Sequence, residues 1–86
     1  MYKVIFMTQA QKDAKKLASS GLQKKAQMLI QVIEKNPYEY PPEFEYLKGD
    51  MDGLISRRIN KEYRLVYEVF ENVKTIKIYR MWTHYD

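Results

Sequence analysis

The sequence predicts an α+β fold: an N-terminal strand, a helical hairpin, then an antiparallel β-meander, with the helices packed on one face of the sheet. Two patterns carry this. Leu22, Ala26, Leu29, Ile30 and Ile33 recur at helical spacing, while Lys24, Lys25, Gln27, Gln31 and Lys35 cover the other faces. Downstream, strand-like runs at Leu54–Ile59, Glu62–Phe70 and Lys74–Tyr85 are joined by short polar links at Asn60-Lys61 and Glu71-Asn72, as in antiparallel hairpins.

The elements follow in order. Tyr2 to Met7 is a short run of strand formers with Lys3 as its only charge. Thr8 with Gln11 has the form of a capping box, in which two side chains serve free backbone N–H groups, so a first helix is expected from there. Ala10, Ala14, Leu17 and Ala18 would give it a small-residue inner face. Ser19-Ser20-Gly21 interrupts it, and Ser20 with Gln23 repeats the capping pattern before the second helix. Asn36-Pro37 stops that helix, because the residue before proline is pushed out of helical geometry. Pro37 to Phe44 is an extended, proline- and tyrosine-rich connection, Glu45–Lys48 a short strand, and Gly49–Gly53 a turn.

With 86 residues the chain has room for one small domain, 1–86. A chain of this size buries roughly 60–65% of its extended surface, so a partner subunit would help it. The absence of cysteine excludes a disulfide framework and a thiolate zinc site. The opening run is too short for a membrane span or a signal peptide, so the expectation is a cytoplasmic protein, complete as written, with no membrane contact. The formal charge is +4 and unevenly spread. Residues 1–36 hold seven lysines against Asp13 and Glu34, whereas all four arginines (57, 58, 64 and 80) lie beyond. Clustered arginine favours an anionic partner, nucleic acid or an acidic protein segment, because its planar fork donates paired hydrogen bonds.

Strand parity tests whether candidate groups share a face. Arg64, Val66, Glu68 and Phe70 alternate with Tyr63, Leu65, Tyr67 and Val69. Arg58 goes with Ser56 and Asn60, opposite Ile55, Arg57 and Ile59, while Arg80, Trp82 and His84 fall together. Arg58, Arg64 and His84 are therefore expected on the sheet face that the helices leave open, given a compatible register across strands. Each residue also has a plainer role: the lone His84 as a solvated side chain, Glu45 and Lys48 as an exposed ion pair, Arg57-Arg58 as charge that discourages edge pairing. Tyr38, Tyr40 and Tyr46 fit gap-filling around the prolines or stacking on bases.

Taken together, Glu45-Tyr46-Leu47-Lys48, Gly53-Leu54-Ile55-Ser56-Arg57-Arg58-Ile59, Glu62-Tyr63-Arg64-Leu65-Val66-Tyr67 and the terminal His84-Tyr85 make the chain resemble the YoeB/Txe family of the RelE/ParE toxin–antitoxin superfamily along essentially its whole length. The resemblance implies a RelE-like toxin domain acting as a ribosome-dependent endoribonuclease that cuts messenger RNA in the decoding site. It implies a cognate antitoxin of YefM/Axe type covering the active surface, a homodimer, and operator DNA bound only through the antitoxin complex. The 70S ribosome and mRNA would be its other partners.

Carried over residue by residue, the resemblance puts the catalytic carboxylate on Glu45 with its lysine neighbour on Lys48, the arginines on Arg58 and Arg64, and the terminal pair on His84 and Tyr85. Arg57 joins Lys48 and Arg58 as an expected phosphate contact. The expected chemistry is attack of the RNA 2′-hydroxyl on its own phosphate: Glu45 as base, His84, with an ordinary pKa of about 6.5, as acid, and Arg58 and Arg64 stabilising the phosphate. No cofactor and no metal are expected, since one histidine and scattered carboxylates offer no ligand spacing. Phe44 and Tyr46 stand where relatives often carry Pro, Tyr63 where His is common, and Asp86 extends the chain past His-Tyr. The alternative is a non-catalytic toxin or binding module of the same fold, gyrase-inhibitor-like or RNA/protein-binding.

Overall fold

The computed structural model describes residues 1–82; His84, Tyr85 and their neighbours Thr83 and Asp86 lie outside the described residues. In chain order the elements are β1 (Lys3–Phe6), α1 (Thr8–Ser20), α2 (Gln23–Lys35), β2 (Phe44–Tyr46), β3 (Leu54–Arg58), β4 (Arg64–Phe70) and β5 (Thr75–Arg80), with 3-10 turns at Gly49–Met51 and Glu71–Val73. The five strands form one sheet in the order β1-β5-β4-β3-β2. From β2 to β5 each strand pairs antiparallel with the next, as the turn spacing predicts. The first strand adds something the spacing does not contain: β1 lies parallel beside β5, with Val4 opposite Ile76 and Phe6 opposite Ile78, which makes the sheet mixed. Parallel neighbours need a long crossover, and here both helices and the meander supply it.

One face of the sheet carries Ile55, Leu65, Tyr67, Ile76 and Ile78 against Ala10, Leu17, Ala26 and Ile33 of the helices, all buried. Each large aliphatic side chain removed from water there contributes about 1.5–3 kcal/mol before entropy is counted. The α2 stripe is as predicted, with Ala26 and Ile33 buried and Leu22, Leu29 and Ile30 half-buried. In α1 the inner face differs: Ala18 is exposed, and Asp13 is fully buried between Ala10 and Leu17.

Neither capping box forms. Met7 and Leu22 precede the helices without a side-chain cap. Gln11 Nε2 donates instead to the Phe6 carbonyl at 2.9 Å, and Ser20 Oγ donates back to the Leu17 carbonyl at 3.0 Å. Gly21, at φ 80°, ends α1 in the left-handed region that glycine enters without steric cost. At Asn36-Pro37 the second helix ends as expected.

Three strand boundaries are tighter than predicted. β2 stops at Tyr46, leaving Lys48 outside it. Asn60 Oδ1 accepts the backbone N–H groups of Glu62 and Tyr63, both at 2.8 Å, which draws those two residues into a turn, so β4 starts at Arg64. β5 ends at Arg80, because Asp13 takes the next two backbone amides.

Candidate functional site

The register brings together groups that are remote in sequence. Glu45 of β2 lies opposite Ser56 of β3, and Arg58 of β3 lies opposite Arg64 of β4. All four share the face turned away from the helices and line a cleft of about 350 Å³ together with Pro42, Glu43 and Phe44. Inside it, Arg64 Nη1 makes an ion pair with Glu45 Oε1 and donates to Ser56 Oγ at 3.2 Å. Arg64 is largely sunk, 13% exposed, whereas Glu45 is 56% exposed and open to a ligand. The Arg58 side chain is exposed and makes no hydrogen bond or ion pair among the described residues.

Two guanidiniums directly opposite each other repel across a strand pair, and Glu45 offsets one of them. With Glu43 counted, the lining is formally neutral, but the charges are unequally engaged. Arg58 is unpaired, and the other N–H groups of Arg64 carry no bond among the described residues. A carboxylate that can accept a proton therefore lies beside two guanidinium forks with donors to spare, which suits a phosphodiester.

Two expected site residues stand apart. Lys48 is exposed at the start of the 3-10 turn and does not line the cleft. Arg57 is corrected outright as a phosphate contact: it is 0% exposed and on the helix-covered face. Its Nε donates to the Tyr67 hydroxyl at 2.9 Å, Nη2 to the carbonyls of Glu39 at 2.8 Å and Pro37 at 3.2 Å, and Nη1 to the Pro42 carbonyl. The Phe44 ring lies 4.7 Å from its central carbon. Its charge is thus solvated by the loop that leads into β2, and no donor faces the cleft. Arg80, grouped by parity with Trp82 and His84, turns to the helix side, where its Nε donates to Asp13 Oδ2 at 3.0 Å. His84 and Tyr85 are outside the described residues; the Trp82 ring stacks on Tyr63 at 3.8 Å.

Two residues gain roles that the sequence pattern alone does not assign. Ser56, co-facial with Arg58 by parity, fixes Arg64. Asp13 is the other, and its signal is a single carboxylate spaced three and four residues from Ala10 and Leu17. Burial pushes its carboxyl upward, but the Met81 N–H, the Gln9 amide and the Arg80 guanidinium outweigh that and hold it below the usual carboxylate range. Of the tyrosines, Tyr38 donates to Glu71 at 2.8 Å, and burial together with that carboxylate pushes its phenol up. Tyr40 and Tyr46 are exposed and meet Phe44 edge-on.

Comparison with known proteins follows the same outline. A family described as the YoeB-like toxin of bacterial type II toxin-antitoxin systems matches residues 6–85. Toxin YoeB of Synechocystis sp. is 42% identical over 48 residues, a stretch spanning 56% of this chain and 56% of that protein. Among solved structures, a YoeB/ParE toxin from Agrobacterium tumefaciens superposes with a TM-score of 0.87 at 28% identity, covering 96% of this chain and 99% of that one. The toxin in the YoeB-YefM complex from Staphylococcus aureus gives a TM-score of 0.81 at 36% identity, covering 99% of both chains. The YoeB dimer from the same organism gives 0.83 at 36% identity and 98% coverage of both.

Proposed function

Because the chain belongs to the YoeB-like toxin family of bacterial type II toxin–antitoxin systems, we propose that it is a ribosome-dependent endoribonuclease that cuts messenger RNA in the A site. The observation that supports this most is the cleft in which Glu45, Ser56, Arg58 and Arg64 converge from three strands. Glu45 takes the proton of the 2′-hydroxyl as that oxygen attacks the neighbouring phosphorus. Arg64, oriented by Ser56, and Arg58 hold the phosphate and stabilise the charge that grows on its oxygens. His84 protonates the departing 5′-oxygen, and Tyr85 orients the substrate. The products are a 2′,3′-cyclic phosphate and a free 5′-hydroxyl, and no metal enters the scheme.

Substrate binding re-partitions the Glu45–Arg64 pair. A phosphate that accepts from Arg64 weakens its hold on Glu45 and frees the carboxylate to act as base. The ribosome and its message are the substrate complex. The complexed and dimeric staphylococcal relatives support a cognate antitoxin of YefM/Axe type and a homodimer for this chain as well. Operator DNA would be reached through the antitoxin.

The test is incubation with translating ribosomes and mapping of message ends. Position-specific cuts in the A-site codon are expected, abolished by a 2′-deoxy sugar at the cut site. Glu45→Gln should slow cleavage by roughly 10²-fold or more, the usual worth of a positioned base. A chain that protects message without cutting it, or that cuts a 2′-deoxy site, refutes the proposal.

A further inference from the structure

The two helices carry the whole of the chain's excess charge. Between Thr8 and Lys35 lie Lys12, Lys15, Lys16, Lys24, Lys25 and Lys35, against only Asp13 and Glu34. That surplus equals the formal charge of +4, so the rest of the chain balances. All six lysines are exposed, and none of their ammonium groups makes an ion pair or hydrogen bond among the described residues. Neither acid offsets them at the surface: Asp13 is buried against the Arg80 guanidinium, and Glu34 is half-buried. In α1, Lys15 and Lys16 lie three and four residues on from Lys12, opposite the buried Ala10, Asp13 and Leu17. In α2, Lys24 and Lys35 bracket the exposed Met28 and Gln31, opposite the buried Ala26 and Ile33. A face kept merely soluble mixes both signs of charge, whereas a face of one sign sets up a directed field.

We infer that the outer face of this helical hairpin docks on the phosphate backbone of ribosomal RNA and holds the protein there while the cleft works on the message. Ammonium groups beside amide donors such as the exposed Gln23, Gln27 and Gln31 are the side chains that grip phosphate and sugar without reading sequence. Each 13-residue helix spreads them along roughly 20 Å. They do not serve the cleft. A helix about 10 Å across and the sheet itself lie between, more than the screening length of about 8 Å at physiological salt. The cleft lining is formally neutral, so free message gains little attraction to it. A ligand that meets both faces at once must surround the domain, as the RNA walls of a decoding site do. The placement of charge thus accounts for a nuclease cleft that needs the ribosome. The choice of partner rests on the ribosome-dependent reading; the unpaired lysine face does not.

The experiment uses the full chain with glutamine for lysine at Lys12, Lys15 and Lys16 in one triple variant, and at Lys24, Lys25 and Lys35 in a second. These side chains are exposed and unpaired, so the thermal midpoint should not move. Binding to 70S ribosomes is read by co-sedimentation across a fourfold rise in salt. Loss of three phosphate contacts should make the salt-induced drop in affinity roughly 20- to 40-fold smaller in each triple than in wild type. On translating ribosomes KM should rise about tenfold or more while kcat stays within about twofold, because the cleft is untouched. Arginine at the same positions should restore wild-type binding. Unchanged ribosome affinity and salt dependence in both glutamine triples overturns the inference, and so does a loss confined to kcat. Poly-L-glutamate that displaces wild type from ribosomes as well as purified ribosomal RNA does, charge for charge, makes the occupant an acidic protein and overturns it too. Wild type that sediments with ribosomes through these lysines without cutting keeps the dock and removes the endoribonuclease reading. Cleavage with unchanged KM in both triples keeps that reading and removes the dock.

Discussion

Replacing Arg57 by Met removes a guanidinium that donates to the Tyr67 hydroxyl and to the carbonyls of Pro37, Glu39 and Pro42. The Pro37 carbonyl keeps a donor, because the Tyr67 hydroxyl also reaches it at 2.8 Å. The carbonyls of Glu39 and Pro42 do not. An acceptor left unpaired in a buried setting costs about 1–3 kcal/mol. Both carbonyls belong to exposed residues that water can approach, and Met carries no charge to desolvate, so about 1–1.5 kcal/mol applies to each. The expected loss is about 2–3 kcal/mol from a total of roughly 4–13 kcal/mol for a chain this long. A thermal midpoint about 10–20 °C lower follows. Urea unfolding followed by the fluorescence of Trp82 measures it, with ribosomal cleavage by the residual folded protein assayed in parallel. A variant within about 0.5 kcal/mol of wild type that has lost cleavage would falsify the structural role and return Arg57 to the substrate.

Three further outcomes are expected. Arg58→Ala should leave the urea midpoint within about 0.5 kcal/mol of wild type, because the side chain is exposed and unpaired, yet weaken substrate use about tenfold or more as a charged hydrogen bond to phosphate is lost; steady-state cleavage with increasing ribosome concentration reads this. Asp13, whose carboxyl is held low in the fold, contributes stability that is fully present above its unfolded pKa of about 3.9 and is lost as pH falls through the folded value. Wild type should therefore lose stability on acidification more steeply than Asp13→Asn, and parallel slopes in urea melts across that range would contradict the assignment. Gly21→Ala should destabilise by about 1 kcal/mol through its φ of 80° alone, since a Cβ there meets no atom within 4 Å; a neutral melt would show that α1 can end another way.

The helices were legible because burial repeats along one strip of α2 and proline stops it. Parity likewise placed Arg58 and Arg64 on one face, and it already grouped Arg57 with Ile55 and Ile59, a signal of burial that its charge obscured. Glu45 is different: it joins the arginines only through its pairing with Ser56 across β2 and β3, and no pattern within either strand specifies a register. The partner of β1 was equally invisible, since a run of strand formers does not say which edge it will join. Thr8 and Ser20 had the right chemistry for caps, but Gln11 and Ser20 found acceptors in the preceding residues. Alternation is no guide as far as Trp82, because the strand ends at Arg80 and the ladder is irregular before it, and His84 lies outside the described residues.

The place of β5 between β1 and β4 has a consequence for the order of assembly. During synthesis the opening strand and both helices emerge long before the one segment that can join them to the meander. Until it arrives, the two halves share no hydrogen-bonded edge, and closure joins residues at opposite ends of the sequence, a slow class of contact. A chain of this topology therefore completes its sheet only after its last strand, Thr75–Arg80, has been made.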